Sequence, residues 1–177
     1  MNAPAIEDHG IIGDLNTIAL VALNGSIDFM CFPRFDSPSV FAALLDPEKG
    51  GHFSLAPVLD GARQKQLYLP DSNILLTRFL SQDGVVEISD FMPVEQVSTC
   101  HNLVRRIKCV RGEVSIRMVC APRFDYARAR HRIERDGRDV LFISEGADQT
   151  ALRLRASVPL EIHDGDAVAI FPLQPDH

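Results

Sequence analysis

Tryptophan is absent from this chain of 177 residues, and tyrosine occurs only twice, as Tyr68 and Tyr126. A carbohydrate-binding module needs exposed flat aromatic side chains, because the apolar face of a sugar ring stacks on them. The scarcity argues against an autonomous carbohydrate-binding module, although an exposed aromatic row on one sheet face would restore that interpretation.

The cysteines form no Cys-x-x-Cys pair, and no histidine stands at the spacing of a zinc site, so the sequence predicts no metal and no cofactor. Their neighbours are apolar, which favours buried thiols in a reducing cytoplasm. The four positions are Cys31, Cys100, Cys109 and Cys120. The chain also lacks an apolar run of about 18 residues, the length needed to span a bilayer, and its first ten residues lack the features of a signal peptide. We therefore expect a cytoplasmic protein with no membrane partner.

Lysine is scarce as well, since 15 of the 18 basic residues are arginine. The net charge of −6 is divided unevenly: residues 1–104 carry −8, residues 105–155 carry +6, and the remainder is acidic. A basic middle is compatible with nucleic-acid binding, but these arginines alternate with apolar residues, as on the exposed face of a sheet. We expect no nucleic-acid partner, unless the arginines between residues 123 and 138 form one continuous face.

Most of the chain alternates apolar and polar residues with a period of two, the pattern of half-buried antiparallel strands. The segment EVSIRMVC at 113–120 shows it most plainly. Asn24-Gly25 lies between two apolar runs and predicts a hairpin with a type I′ turn, and three Asp-Gly steps at 83–84, 136–137 and 164–165 repeat the pattern. The sequence therefore predicts ten or more strands in a large all-β, two-sheet antiparallel β-sandwich.

One segment, DSPSVFAALLD, favours a helix instead. Ser37 is a candidate N-cap and Pro38 stands at the first helical position, so we expect one short helix near residues 37–46. The length suits one domain, residues 1–177. The last alternating run stops where an antiparallel sheet would need a closing strand. We therefore expect a fragment of a longer protein, with an open sheet edge that favours a homo-oligomer.

The tetrapeptide Pro-Arg-Phe-Asp (PRFD) occurs twice, at 33–36 and 122–125, each time after an apolar run that contains a cysteine. Proline cannot donate to a strand ladder and so ends the pairing. The phenylalanine can then fold back onto the core, and the aspartate can cap the local turn. On this structural interpretation the copies are strand-end corners tied by Arg–Asp pairs. On a functional interpretation they are binding loops held by a rigid scaffold.

Several stretches of the sequence, in order, resemble the N-terminal domain of bacterial and archaeal members of glycoside hydrolase family 15, the glucoamylase and trehalase group. They are IEDHGIIGD at 6–14, GSIDFMCFPRFDSPSVFAALLD at 25–46, FSLAP at 53–57 and PRFDYARA at 122–129. Phe29 stands where the family usually has tryptophan, and His9 where it usually has tyrosine. Both replacements are planar, so we expect the fold to be retained and any sugar stacking at position 29 to be weaker.

The resemblance implies a large β-sandwich that precedes an (α/α) helical barrel, in which the family's paired catalytic glutamates lie. Nothing in this chain corresponds to the barrel, so we expect no catalytic residue here and an inactive isolated chain. Asp36 and Asp125 are conceivable as an acid and a base. An inverting glycosidase, however, needs its two carboxyl groups about 6.5–9.5 Å apart across a sugar-sized pocket, and both aspartates occupy turn positions.

The resemblance also implies a parent protein that is an inverting α-glucoside hydrolase of glucoamylase or trehalase type. In it, this chain is expected to act as a non-catalytic accessory domain that docks on its own C-terminal catalytic domain and helps to shape the active-site mouth. Contact with an α-glucoside substrate is expected only through that parent. The candidate residues for the mouth or the domain interface are Arg34, Phe35, Asp36, Ser37, Arg123, Asp125 and Tyr126.

Overall fold

The structure is a computed structural model that describes residues 4–94 and 100–175. These residues form fifteen strands, a 3-10 turn at Ile6–Asp8 and one four-residue helical turn, α1, at Phe124–Ala127. The strands are β1 His9–Gly13, β2 Ile18–Ala22, β3 Ser26–Cys31, β4 Ser39–Phe41, β5 His52–Pro57, β6 Arg63–Tyr68, β7 Leu75–Leu80, β8 Val85–Phe91, β9 Val104–Arg111, β10 Val114–Ala121, β11 His131–Asp136, β12 Asp139–Ser144, β13 Ala151–Leu154, β14 Glu161–His163 and β15 Asp166–Leu173. Neither helical segment of this described part is long and apolar enough to cross a membrane.

The strands form three antiparallel sheets, which confirms the predicted all-β class. The largest has eight strands in the order β1-β2-β3-β5-β10-β15-β14, with β4 paired to β3. The others are β6-β7-β8-β9 and β11-β12-β13. Both smaller sheets share one core with the same face of the large sheet, where Phe79 of β7 and Phe142 of β12 join one apolar cluster. The expected second sheet of the sandwich is therefore divided into two hydrogen-bonded sheets.

The hairpin at Asn24-Gly25 is confirmed, but its turn is of another type. β2 and β3 pair antiparallel on either side of it, and Gly25 has a φ of +82°. Asn24 is not among the described residues with positive φ, and Gly25 N donates to Ala22 O at 2.9 Å. This is a three-residue loop with glycine in the left-handed position, which also matches the twist of a hairpin. Type I′ geometry occurs instead at 164–165, between β14 and β15, where φ is +50° and +86°.

The prediction of a helix near residues 37–46 is wrong. Ser39–Phe41 forms strand β4, which pairs antiparallel with β3 through Met30 and Cys31. Val40 and Phe41 are both buried in the core. The segment favoured a helix of only about two turns, and isolated helices of that length are unstable in water. Strand pairing and burial of the apolar side chains therefore outweigh the local preference.

A buried ion pair within the four-stranded sheet is also hydrogen-bonded to the large sheet through its arginine. Arg105 of β9 donates from Nε to Asp90 Oδ1 of β8 at 2.8 Å, and the two side chains are only 3% and 0% exposed. The same guanidinium donates to the carbonyl oxygen of Phe53 in β5 of the large sheet and to that of Gly25 in the β2–β3 loop. Removal of one partner would leave an uncompensated buried charge, at a cost of about 3–5 kcal/mol. The pair therefore fixes how the two sheets meet.

Three of the four cysteines, Cys31, Cys109 and Cys120, are buried as expected. Cys100 is exposed, so the expectation of a buried thiol is wrong at that position. Burial raises the pKa of the Cys120 thiol to about 12. This thiol therefore stays protonated at neutral pH and packs as a small apolar side chain.

Candidate functional site

Both PRFD corners lie at the same edge of the eight-stranded sheet. β3 and β10 each pair antiparallel with β5, so these two strands run in the same direction. A corner follows the end of each strand, and β4 lies between the corners, because Cys31 pairs with Ser39 while Arg123 N donates to Val40 O at 2.8 Å. We call residues 31–41 together with 121–128 the corner edge.

The first corner projects into solvent. Arg34 Nε and Asp36 Oδ1 lie 3.3 Å apart, in an ion pair whose side chains are 74% and 77% exposed. Phe35 is exposed too, although the sequence favoured its return to the core. Ser37 closes the turn: its hydroxyl accepts a hydrogen bond from Arg34 N at 3.2 Å, and its N–H donates to Arg34 O at 3.1 Å. The cap expected from Asp36 is therefore provided by Ser37.

The loop between β1 and β2 holds the first corner in place. Phe35 N donates to Asn16 O at 2.9 Å. Asp14 fixes this loop by accepting hydrogen bonds from the backbone N–H groups of Asn16 and Thr17, each at 2.9 Å, and its other carboxylate oxygen lies 2.5 Å from His101 Nδ1. Burial acts to raise the pKa of Asp14, but these hydrogen bonds outweigh it and hold the pKa below its usual value.

An open cavity of about 300 Å³ lies between that loop and the first corner, and Leu15, Asn16, Arg34, Phe35 and Asp36 line it. Leu15 is 80% exposed and has a φ of +73°, a left-handed conformation that is costly for a leucine. Two exposed apolar side chains and one ion pair therefore border a single concave surface. Leu15 and Asn16 were not among the residues predicted from the sequence. The Asp-x-x-Thr spacing at 14–17, which suits a turn closed by an aspartate side chain, was the available signal.

The second corner is built into the core. Phe124 is fully buried, and its ring meets His131 edge to face, with 5.7 Å between the ring centroids. Arg123 donates from its two terminal nitrogens to the Asp166 carboxylate of β15, at 2.6 and 3.2 Å. Gly51 makes room for it, because a Cβ there would lie 2.6 Å from the Arg123 side chain. An Arg–Asp tie is present as expected, but its aspartate comes from another strand and not from the corner.

A left-handed turn follows the second corner and brings Tyr126 to the end of β3. Asp125, Tyr126 and Ala127 have φ of +51°, +54° and +63°, which costs residues with a side chain roughly 1–2 kcal/mol each. Arg128 supports this turn: its Nη2 donates to the Asp125 carboxylate at 2.6 Å, and its guanidinium lies 5.6 Å from the centre of the Tyr126 ring. The charge interaction and the side-chain hydrogen bond with Cys31 raise the pKa of Tyr126. Such strain persists only where tertiary contacts dictate the backbone.

His52 of β5 lies among charged groups beside the second corner. Burial lowers the pKa of His52 and outweighs the carboxylates of Asp28 and Asp166, which act in the opposite direction; Arg123 lowers it further. Asp28 is itself buried and lies 3.4 Å from His9 Nε2. Near neutral pH the His52 side chain is therefore held in its uncharged form.

The structure gathers the seven candidate residues at one edge and divides them by environment. Arg34, Phe35, Asp36 and Tyr126 present exposed side chains, whereas Arg123 is tied to β15. The remaining members, Ser37 and Asp125, each stabilise their own turn. Asp36 and Asp125 are both paired with an arginine of their own corner, and the cavity at the first corner is not lined by Asp125. A role of these residues in a substrate mouth or a domain interface stays a prediction.

The curated relatives that this chain resembles are trehalases. The trehalase of Mycolicibacterium smegmatis is 36% identical over 142 residues, which cover 71% of this chain and 21% of that protein. Trehalase 1 of Sulfolobus acidocaldarius is 39% identical over 152 residues, covering 86% and 25%, respectively. The trehalase of Thermoplasma volcanium is 30% identical over 161 residues, covering 89% and 25%. The chain therefore spans a quarter or less of the length of these relatives.

A comparison of the chain with models of known families agrees with the resemblance seen in the quoted stretches of sequence. No solved structure matches the chain. The model of the family described as trehalase-like, N-terminal matches residues 1–169, which is nearly the whole sequence. This match agrees with the three all-antiparallel sheets and with the two PRFD corners at one edge. The chain belongs to the family of trehalase-like N-terminal domains.

Proposed function

We propose that this chain is the non-catalytic accessory domain of a trehalase-like glycoside hydrolase and that it docks on a C-terminal catalytic barrel through the corner edge. Family membership supports the accessory role, as does the small share of the trehalase relatives that the chain spans. One observation carries the docking proposal: two corners far apart in sequence meet at a single sheet edge because β3 and β10 flank β5 in the same direction.

The exposed side chains of the corner edge suit a contact between domains. Phe35 and Leu15 supply apolar area, and arginine and tyrosine, present as Arg34 and Tyr126, are enriched at interfaces. The planar guanidinium of Arg34 can grip a carboxylate of the barrel with two parallel hydrogen bonds. In an enzyme whose pocket opens beside this edge, the same side chains help to shape the mouth.

The proposed parent is an inverting α-glucoside hydrolase. Trehalose is the first substrate to test, because the relatives carry the name trehalase; a glucoamylase-type substrate such as maltodextrin is the second. The general acid and general base of such a reaction belong to the barrel in this proposal. The present chain then contributes positioning and not proton transfer.

The test compares the isolated chain with the full-length hydrolase that contains it. Arg34→Ala is expected to leave the Tm of the isolated chain almost unchanged, because an exposed ion pair is worth about 0–1 kcal/mol. The same change is expected to lower kcat/KM for trehalose several-fold in the full-length protein, whereas Arg63→Ala, an exposed arginine on β6, is the matched control with no effect. Unchanged kcat/KM in a folded Arg34→Ala enzyme contradicts the docking role. Trehalose hydrolysis by the isolated chain contradicts the non-catalytic role.

An autonomous carbohydrate-binding module is the second candidate, and one observation favours it. Phe35 and Tyr126 are 55% and 43% exposed and lie at the same edge. The guanidinium of Arg128, however, lies over the Tyr126 ring and occupies a face on which a sugar would stack. Calorimetric titration of the isolated chain with trehalose and maltodextrin separates the two candidates: binding that is lost in Phe35→Ala supports a module, and no binding supports the accessory role.

We also propose a cytoplasmic location and self-association of the isolated chain through a sheet edge. The buried thiols of Cys31, Cys109 and Cys120 suit a reducing compartment. β14 pairs only with residues 166–168 of β15, so among the described residues 169–173 have no strand on that side. Unpaired backbone groups at an edge are a template for another strand. Light scattering that shows a strict monomer at high concentration contradicts the self-association.

A further inference from the structure

The face of the eight-stranded sheet that points away from the core carries apolar side chains. On β1, β2 and β3 the strand register places Ile11, Leu20 and Phe29 opposite one another in a row. Ile11 is followed by the core residue Ile12, and Leu20 is flanked by core residues on both sides, so this row faces the other way. The row lies on the side of the sheet that the two smaller sheets do not cover.

Apolar side chains also point away from the core on β10 and β15, near the other end of the sheet. Val119 pairs with Val168 across β10 and β15, and Arg117 pairs with Ile170 one step further along the same two strands. In the described part of the chain, none of the outward apolar residues joins the core cluster. We call this surface the open face, and its apolar members are Ile11, Leu20, Phe29, Val119, Val168 and Ile170.

Parts of the open face are more apolar than a sheet face in water, although the central strands also present Ser54, Ser115 and Arg117 on this side. An antiparallel sheet with one face in water alternates apolar side chains inward and polar ones outward. β2 breaks this rule, because its sequence IALVA is apolar on both faces, and Ile11 and Ile170 are 52% and 68% exposed. Strands that are apolar on both faces occur in sheets that are covered on both sides.

We infer that the open face is a second docking surface, beside the corner edge, for the helical catalytic domain of the same polypeptide, an inference that rests on the proposed function. The matched trehalases have three quarters or more of their length outside the region that this chain spans, so a covering domain of sufficient size exists in them. Six strand spacings of about 4.8 Å and five residues of about 3.4 Å each give roughly 500 Å² on this side. Counted on both partners, the contact is about 1,000 Å², within the range for interfaces between domains of one chain.

The charge on the open face distinguishes this occupant from a second copy of the chain. Arg117 lies near the middle of the sheet, exposed, and no ion pair of Arg117 occurs among the described residues. In a two-fold symmetric contact between two copies, the same patch faces itself, so two Arg117 side chains would approach each other across an apolar surface. A covering domain with a carboxylate opposite Arg117 satisfies the buried charge instead. The inferred partner surface therefore carries an acidic group opposite Arg117.

Cysteine labelling tests the inference. In a Cys100→Ser background, which removes the exposed native thiol, Ile170→Cys is labelled with a small uncharged maleimide in the isolated chain and in the full-length hydrolase. We expect labelling at least ten-fold slower in the full-length protein. Val110→Cys on β9, where the native side chain is 46% exposed, is the control and is expected to react at the same rate in both. Ile11→Cys, on the opposite side of the open face, is a second probe should Ile170→Cys disturb the fold.

Each outcome is decisive. Equal rates for Ile170→Cys in the two proteins overturn the inference. Protection that is already present in the isolated chain and grows with its concentration assigns the open face to a second copy and also overturns it. A full-length protein that hydrolyses trehalose but leaves Ile170→Cys reactive keeps the proposed function and refutes the open-face contact. A full-length protein without glycosidase activity refutes both.

Discussion

The two PRFD corners share four residues and one sheet edge but differ in what their side chains contact. Phe124 is fully buried against His131, whereas Phe35 is 55% exposed. Arg123 crosses to β15 and binds Asp166, whereas Arg34 pairs with Asp36, two residues away, in solvent. In both copies the proline follows the end of a strand, so this part of the tetrapeptide has the same role twice.

This contrast indicates that the tetrapeptide specifies a strand end and that the neighbouring strands determine the contacts of its side chains. β10 is flanked by β5 and β15, and its corner finds β4, Gly51 and Asp166 around it. The first corner is bonded to the β1–β2 loop, through the bond from Phe35 N to Asn16 O. The second corner is thus a scaffold, while the first keeps its side chains available for a partner.

Truncation of the two phenylalanines is expected to give the largest contrast. Phe124→Ala removes a fully buried ring from the core, and such a change lowers the free energy of unfolding by about 3–5 kcal/mol. Phe35→Ala removes a mostly exposed ring and is expected to change it by about 0.5 kcal/mol or less. Urea unfolding followed by circular dichroism measures both. Equal losses would show that the corners are equivalent after all.

The arginines are expected to give a smaller contrast. Arg123→Ala breaks a two-bond contact whose side chains are 32% and 21% exposed, and we expect a loss of roughly 1–2 kcal/mol after allowance for solvent. Arg34→Ala is expected to cost about 0–1 kcal/mol. Asp36→Ala is expected to match Arg34→Ala, because Ser37 and not Asp36 closes the turn. Thermal unfolding of the three variants checks this, and a Tm loss that is larger for Arg34→Ala than for Arg123→Ala contradicts it.

Acidification is expected to affect the two corners in different pH ranges, and this effect is the smallest, because it changes charge without removing side chains. The folded-state pKa of His52 is lowered below its usual 6.5, so the unfolded chain binds its proton first and stability falls as the pH drops below about 6.5. The pKa of Asp14, which holds the first corner, is lowered below its usual 3.8, so its contribution is lost only as the pH falls through that lower folded value.

Unfolding curves measured from pH 8 to pH 3 test this order. In His52→Gln we expect the decline between pH 6.5 and pH 5 to flatten, while the loss at lower pH remains. In Asp14→Asn the decline below pH 6.5 is expected to persist. A steep decline below pH 6.5 that His52→Gln leaves intact would place the titrating group elsewhere.

The sequence predicts the structure best where the signal is local to one strand. At 113–120 the alternation placed Val114, Ile116 and Met118 on a buried face, and they are buried in β10. The prediction of a helix failed at Ser39–Phe41, because strand pairing with β3 outweighed a weak local helix signal. Most of the candidate residues were chosen because the PRFD repeat is visible in the sequence, and their role stays a prediction.

The residues that were missed have no such repeat. Leu15 and Asn16 border the first corner only because the β1–β2 loop folds against it. Arg105 and Asp90 sit on adjacent strands, but their link to Gly25 and Phe53 depends on how two sheets pack. A contact between sheets leaves no period in the sequence, since the partners are separated by many residues with independent patterns.

The all-β class, the hairpin positions and the two strand ends marked by PRFD follow from local sequence signals, because side-chain alternation, glycine and proline act on the backbone within a few residues. The pairing of distant strands, by contrast, places β3 and β10 on either side of β5 and so brings both corners to one edge. It also decided which phenylalanine is buried and which face of the large sheet stays open. Those outcomes depend on the neighbours that each strand acquires, and pairing between distant segments is set by the packing of the whole core.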